Sequence, residues 1–134
     1  MKTEEDIDCI FCNPNKNTIC ADYSNAGFYA MYDNHPVSKG HVLIISKRHV
    51  PTYFDLTHEE QKDLIIAITM VKSMLDELYS PDGYNIGCNC GKAAGQTINH
   101  FHLHVIPRYN GDMDNPEGGV RGVIPSKQKY SRFV

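Results

Sequence analysis

The chain predicts an α+β domain: a five-stranded, mostly antiparallel sheet with one long and one short helix. Three observations lead there. The stretch G-Q-T-I-N-H-F-H-L-H-V-I-P-R, from Gly95 to Arg108, alternates imidazole and apolar side chains at its centre, the period-two pattern of a strand with one buried face. Residues 57–79 place apolar side chains three and four apart, the period of a helix. The other apolar runs are short and bounded by Gly, Pro, Asn and Asp, as strands between turns are. At 134 residues this is one domain, large enough to bury a core without staples.

Taken in order, residues 18–23 read as a first strand, 24–27 as a turn and 28–32 as a second strand closing a hairpin. Residues 33–40 carry Pro36 and Gly40 and form a loop, and 41–45 are apolar enough for a central strand. The short helix is placed near residues 51–53. Thr57 followed by Glu60 is a capping box that opens the long helix. Leu64, Ile65, Ile68, Val71, Leu75 and Leu78 form its core-facing stripe, and Ser80-Pro81-Asp82-Gly83 stops it near Tyr79. Residues 84–89 read as the fourth strand, and the small residues of 90–95 as a loop whose backbone can approach an anion. In the fifth strand His100, His102 and His104 share one face, spaced about 6.5–7 Å apart, while Phe101, Leu103 and Val105 point into the core. Pro107 cannot donate to a ladder and marks the end of pairing. The main domain is residues 1–109. Residues 110–134, with Gly111, Pro116, Gly118, Gly119 and Pro125, read as an extended arm, not a helix, packing on the domain or on a dimer partner.

Composition removes several function classes. A net charge of −3, with Lys and Arg scattered, argues against binding nucleic acid through its backbone. The longest apolar run, 64–71, is too short to span a bilayer. The N-terminus is acidic where a secretion signal is basic and then apolar, which predicts an intracellular, cytoplasmic protein. Five cysteines, an odd number, suggest reduced thiols or metal ligands rather than a disulfide framework.

Two motifs carry chemistry. Cys9-x-x-Cys12 presents two thiolates to one tetrahedral ion, although redox use or plain burial would fit the same spacing. The histidine row admits a half-exposed strand, a catalytic metal site, an attacking imidazole oriented by its neighbours, or a division of labour between metal and chemistry. His49, at a strand end, is either a solvated side chain or the third member of a Cys₂His₂ site. Cys88 and Cys90 are two apart on a predicted strand, poorly placed for one ion, and are read as structural.

The run G-Q-T-I-N-H-F-H-L-H-V-I-P-R resembles the signature of the histidine-triad (HIT) superfamily, His-φ-His-φ-His-φ-φ with φ apolar, and the likeness extends from Cys9 to Tyr109. The resemblance implies a HIT-like fold that pairs into a homodimer. It implies nucleotide hydrolysis or transfer at the α-phosphate of a purine nucleotide conjugate: a dinucleoside polyphosphate, a phosphoramidate or an aminoacyl adenylate. The intermediate would be a nucleotidyl-histidine on His102, with His104 contacting the phosphate and leaving group. Nucleotide-binding positions carried over are Asp33 on the ribose hydroxyls, Gln96 and Thr97 at the phosphate, and Asn34, Asn89, Gly95, His102 and His104. His41 matches a family histidine near the active centre without an assigned role. A structural Zn²⁺ is implied on Cys9, Cys12, His49 and His100, as in the microbial branch that carries the C-x-x-C motif. The chain has no Trp, so the Trp-containing tail of the nucleoside-phosphoramidase branch is missing and its leaving group does not transfer. Two competing expectations remain: a nucleotide-binding regulator with incidental turnover, and a metallohydrolase with the triad around one ion.

Overall fold

The sheet has the strand order β1-β2-β3-β5-β4, every neighbouring pair antiparallel. Its strands are β1 (Ile19–Tyr23), β2 (Phe28–Tyr32), β3 (Val42–Ser46), β4 (Gly83–Gly87) and β5 (His102–Arg108). One long helix, α1 (His58–Tyr79), connects β3 to β4. This computed structural model describes residues 8–23 and 26–130. The N-terminal residues read for a secretion signal, and Ser24 and Asn25 of the expected first turn, lie outside the described residues.

Strand alternation splits the side chains between two cores. Phe28, Ala30, Val42, Ile44, Phe101, Leu103 and Val105 face α1 and pack with its Leu64, Ala67, Val71 and Leu75. Tyr29, Met31, Leu43 and Ile45 point the other way and pack with Phe11. The histidine face is this second one: β3 pairs Leu43 with His104 and Ile45 with His102, and residues paired across a ladder share a face.

The long helix follows its sequence signals closely. The Thr57 hydroxyl accepts the Glu60 N–H at 3.1 Å, and the Glu60 carboxylate accepts the Thr57 N–H at 2.9 Å. Ser80, the residue after Tyr79, takes the left-handed conformation. The expected stripe needs one correction. Ile65 and Leu78 are exposed and Ala67 is buried instead, because a helix of 3.6 residues per turn on a twisted sheet presents a narrower seam than six apolar positions require. The short helix appears as a 3-10 turn, Tyr53–Asp55, with its own capping box at Thr52.

Three further expectations are revised. Pairing does not stop at Pro107, which sits opposite Tyr84 in the β4–β5 ladder. Its carbonyl turns toward the 33–40 loop and accepts the Ser38 hydroxyl, so the missing N–H lies on the side away from β4. β3 begins at Val42 and not His41, and β4 ends at Gly87, leaving Cys88–Cys90 off the strand. The arm is not simply extended: it carries 3-10 turns at Gly119–Val123 and Pro125–Lys127. No helix among the described residues is long and apolar enough to cross a membrane.

Candidate active site and metal cluster

His100 precedes β5, yet its side chain stays on the face of His102 and His104. The Phe101 amide donates to the Val50 carbonyl at 2.7 Å, and this bond sets the chain direction just before the strand starts. His100 is fully buried and its Nε2 lies 2.6 Å from the Ser46 carbonyl. A carbonyl only accepts, so Nε2 carries the proton and the Nδ1 lone pair faces inward. There Nδ1 meets Cys9 Sγ at 3.3 Å, Cys12 Sγ at 3.5 Å and His49 Nδ1 at 3.0 Å, and His49 Nδ1 meets Cys12 Sγ at 3.2 Å. Tetrahedral bonds of about 2.0–2.3 Å give ligand-to-ligand edges of about 3.3–3.8 Å. The two thiols and two imidazoles are thus gathered nearly as a zinc ion would hold them. The C-x-x-C turn is fixed from below. Phe11 is buried against the sheet, its carbonyl accepts the Tyr29 hydroxyl, and Asn13 closes the turn onto the Cys9 carbonyl.

His102 and His104 are ordered differently. His102 Nδ1 lies 2.8 Å from the His100 carbonyl and must donate to it, leaving a lone pair on Nε2. His104 is set by a chain of bonds. The Val37 N–H donates to His41 Nδ1 at 3.0 Å, so His41 carries its proton on Nε2. That Nε2 lies 2.9 Å from His104 Nδ1 and donates to it, which leaves the His104 proton on Nε2. The two rings, 5.5 Å apart, therefore present opposite tautomers: a lone pair on His102 and an N–H on His104. Burial lowers the His104 pKa below the usual imidazole value, assisted by His102 and His41 and opposed by Asp33. Burial lowers that of His41 as well, again opposed by Asp33. Both shifts favour the neutral rings.

Asp33, His41 and His104 form a second group of ligand-type atoms, with Asp33 Oδ2 at 3.5 and 3.9 Å from the two imidazoles. Its chemistry does not fit an ion. An imidazole whose Nδ1 accepts a backbone N–H must keep its proton on Nε2, the atom that would have to ligate. A single ion held by all three triad histidines is not formed either, because their Nδ1 atoms face the thiols, a carbonyl and His41.

The other expected positions divide. Asn34 lines a cleft of about 310 Å³ with Ile10, Phe11, Asn15 and Met31, and the Phe11 ring lies 4.9 Å from that of His102. Asn89 lines a larger cavity beside His104. Thr97 lines a cleft with Cys9 and His49. The Gly95–Gln96 loop is closed on itself. The Gln96 amide donates to the Pro51 and Ile98 carbonyls, its oxygen accepts the Gly91 N–H, and the N–H groups of Ala94, Gly95 and Gln96 point to carbonyls of the same loop. Cys88 and Cys90 approach to 3.8 Å, and burial pushes the Cys88 thiol up to about 11, an unreactive state. Sequence reasoning did not find Phe11, which packs against both His100 and His102, nor the Val37 amide that sets the tautomer chain.

A single antiparallel sheet whose one face carries an ordered histidine row is the class of protein this geometry defines. The chain belongs to the HIT family: residues 17–111 match the HIT domain model. It is 38% identical over 106 residues to an uncharacterised HIT-like protein of Methanocaldococcus jannaschii, covering 78% of this chain and 81% of that one. It is 41% identical over 87 residues to the bis(5'-adenosyl)-triphosphatase of Dictyostelium discoideum, covering 65% of this chain and 58% of that protein. Among solved structures, a Zn-bound histidine triad family protein from Mycobacterium smegmatis superposes with a TM-score of 0.70 at 33% identity, over 80% of this chain and 79% of that one.

Proposed function

We propose that this chain hydrolyses a nucleotide conjugate at its α-phosphate through a nucleotidyl intermediate on His102. The observation that carries the reading is the pair of opposite tautomers. His102 Nε2 holds a lone pair and no proton, the requirement for a neutral nucleophile at phosphorus. His104 Nε2–H, two residues along the same face, supplies a hydrogen bond to the oxygen on which charge develops. In the first step the Nε2–P bond forms and the bond to the leaving group breaks, its electron pair departing with that group. In the second, water adds at phosphorus, the N–P pair returns to Nε2 and one proton passes to solvent. The relatives named bis(5'-adenosyl)-triphosphatase and bis(5'-nucleosyl)-tetraphosphatase support a dinucleoside polyphosphate as one substrate; phosphoramidates and aminoacyl adenylates present the same α-phosphate.

The nucleoside is assigned to the cleft of Phe11, Met31 and Asn34, with Asp33 beside the ribose, because a ring stacked on Phe11 lies directly next to His102. Gly95, Gln96, Thr97 and Asn89 remain assigned to the phosphate region. For Gly95 and Gln96 this requires the loop to exchange an internal bond for one to the ligand. We assign a structural Zn²⁺ to Cys9, Cys12, His49 and His100. The ion would tie the N-terminal turn to the sheet, and His100 would thereby fix the carbonyl that orients His102. A homodimer in the cytoplasm completes the reading, supported by the open edge of β4 and the exposed Ile66 and Met70 of α1.

Acid-quench trapping with a labelled diadenosine polyphosphate tests the mechanism. The parent chain accumulates label on protein, whereas His102→Ala does not. Turnover by His102→Ala at the parent rate would refute it.

A further inference from the structure

Cys88 and Cys90 take no part in the chemistry above, yet their sulfurs lie 3.8 Å apart, in contact. Gly87, the last residue of β4, is the ladder partner of His104, so the pair starts one residue past the position opposite that histidine. Cys88 packs at the edge of the core under α1. Asn89, between the two thiols, is exposed and lines the cavity that His104 also lines. Both thiols are free and only half-buried, which leaves them open to reagents from solvent. On the other side of Cys90, Gly91 is the hub of the 91–96 loop. Its N–H donates to the Gln96 side-chain oxygen, and its carbonyl accepts the Ala94 and Gln96 amides.

Two thiols in contact can hold a metal or join to each other. A structural zinc takes four ligands, and among the described residues no third His, Cys, Asp or Glu is gathered with Cys88 and Cys90. What two sulfurs complete unaided is a disulfide. Its bond is about 2.0 Å long, so closure draws the sulfurs roughly 1.8 Å closer than they stand. On extended chain, Cα atoms two residues apart are about 6.5–7 Å apart, the upper limit of what a bridge spans. Closure therefore contracts residues 88–90 and displaces what flanks each sulfur: Asn89 on one side, and the Gly91 groups that hold the 91–96 loop on the other.

We propose that Cys88 and Cys90 form a reversible thiol–disulfide site, closed by a low-molecular-weight disulfide, and that closure slows turnover by displacing Asn89 and the 91–96 loop. The Cys90 thiolate attacks one sulfur of the small disulfide, whose S–S bond breaks and sends its electron pair out on the first small thiolate. The Cys88 thiolate then attacks the Cys90 sulfur, and the second small thiolate departs. The protein loses two electrons and two protons, and the small disulfide becomes two thiols. Cys88 acts second because burial keeps its thiol protonated. Its contact with the Cys90 sulfur then makes the closing step intramolecular. The effect on turnover rests on the nucleotidyl-His102 reading; the bridge itself does not.

The test treats the full chain, loaded with zinc, with excess oxidised glutathione, then blocks remaining thiols by alkylation and digests with trypsin. Residues 73–92 form one tryptic peptide that holds Cys88 and Cys90 and no other cysteine. This peptide should lose about 2 Da and escape alkylation, while metal analysis finds the zinc content unchanged. In the same sample kcat/KM on diadenosine triphosphate should fall by about tenfold and return with dithiothreitol. Cys90→Ser, with its folding checked by thermal melting, should keep one rate in both conditions. A peptide that stays fully alkylated, or a bridge from either sulfur to another cysteine or to a second chain, overturns the site. A bridge that leaves kcat/KM unchanged, or an equal loss in Cys90→Ser, overturns its effect on turnover. A reduced chain that fails to label on His102 overturns the nucleotidyl reading and the effect on turnover with it, while the peptide mass still decides the bridge.

Discussion

Two groups of side chains stand on one face of the same sheet, each containing a histidine of the same triad, and their chemistry diverges. In the first, His100 gives its Nε2 proton to the Ser46 carbonyl and turns its Nδ1 lone pair toward two thiols and His49. In the second, His41 receives a backbone N–H on Nδ1 and passes the ordering on to His104. A backbone carbonyl behind an imidazole leaves a lone pair on its other nitrogen, as in His100 and His102; a backbone N–H behind it, as in His41, leaves an N–H there. The residue type is the same, and the group on its far side decides.

This contrast can be broken from either side. The largest effect falls on His102, between the two groups: His102→Ala should lower kcat/KM on the order of 10⁴-fold or more, while zinc content by metal analysis and the melting temperature stay near those of the parent. Next comes Cys12→Ala, with the reverse pattern. It should abolish zinc retention and destabilise the fold by about 1–3 kcal/mol in denaturant titration, since it unties the half-buried C-x-x-C turn from His49 and His100. The protein that remains folded should still label on His102. A Cys12→Ala chain that keeps its zinc and its stability would show that the first group is only a packed cluster.

His41→Phe keeps an aromatic ring, somewhat larger, at a buried position and removes the chain behind His104. It should cost about 10²-fold in kcat without loss of zinc, and an effect on KM alone would deny His41 its positioning role. The smallest effect is one of pH. Burial lowers the pKa of His41 and His104, so the neutral chain persists below the ordinary imidazole value of 6.5, and the acid limb of kcat/KM should lie below it. The same sign governs stability. The unfolded state binds more protons just below 6.5, so this contribution is present above that pH and declines as the pH falls toward the folded values. Asp33 opposes the lowering, so Asp33→Asn should move the acid limb further to low pH. A limb that moves upward would contradict the arrangement.

Much of the scaffold was legible because it is local. The Thr57–Glu60 capping box, the stop after Tyr79 and the limits of β2 each follow from residues within a few positions of one another. The metal group was legible through the resemblance, since spacing left C-x-x-C and His49 with several readings. Other features were not. The loop at Gly95–Gln96 looked open to an anion, but its composition does not reveal that Gln96 binds the Pro51 carbonyl 45 residues away. The arm looked extended because a sequence without helical period does not show a chain closing on itself through Arg121 and Gly118.

The sequence by itself determined which atoms could do chemistry: three imidazoles on one face, two thiols a turn apart, and a helix to cover the opposite face. Short-range periodicity and covalent identity suffice for that. Only the tertiary structure decided what each imidazole is for. A ring has two nitrogens and one proton when neutral, and the partner that places this proton lies 54 residues away for His100 and 63 for His104. Such a choice is made by strand pairing across the sheet, which no local pattern encodes.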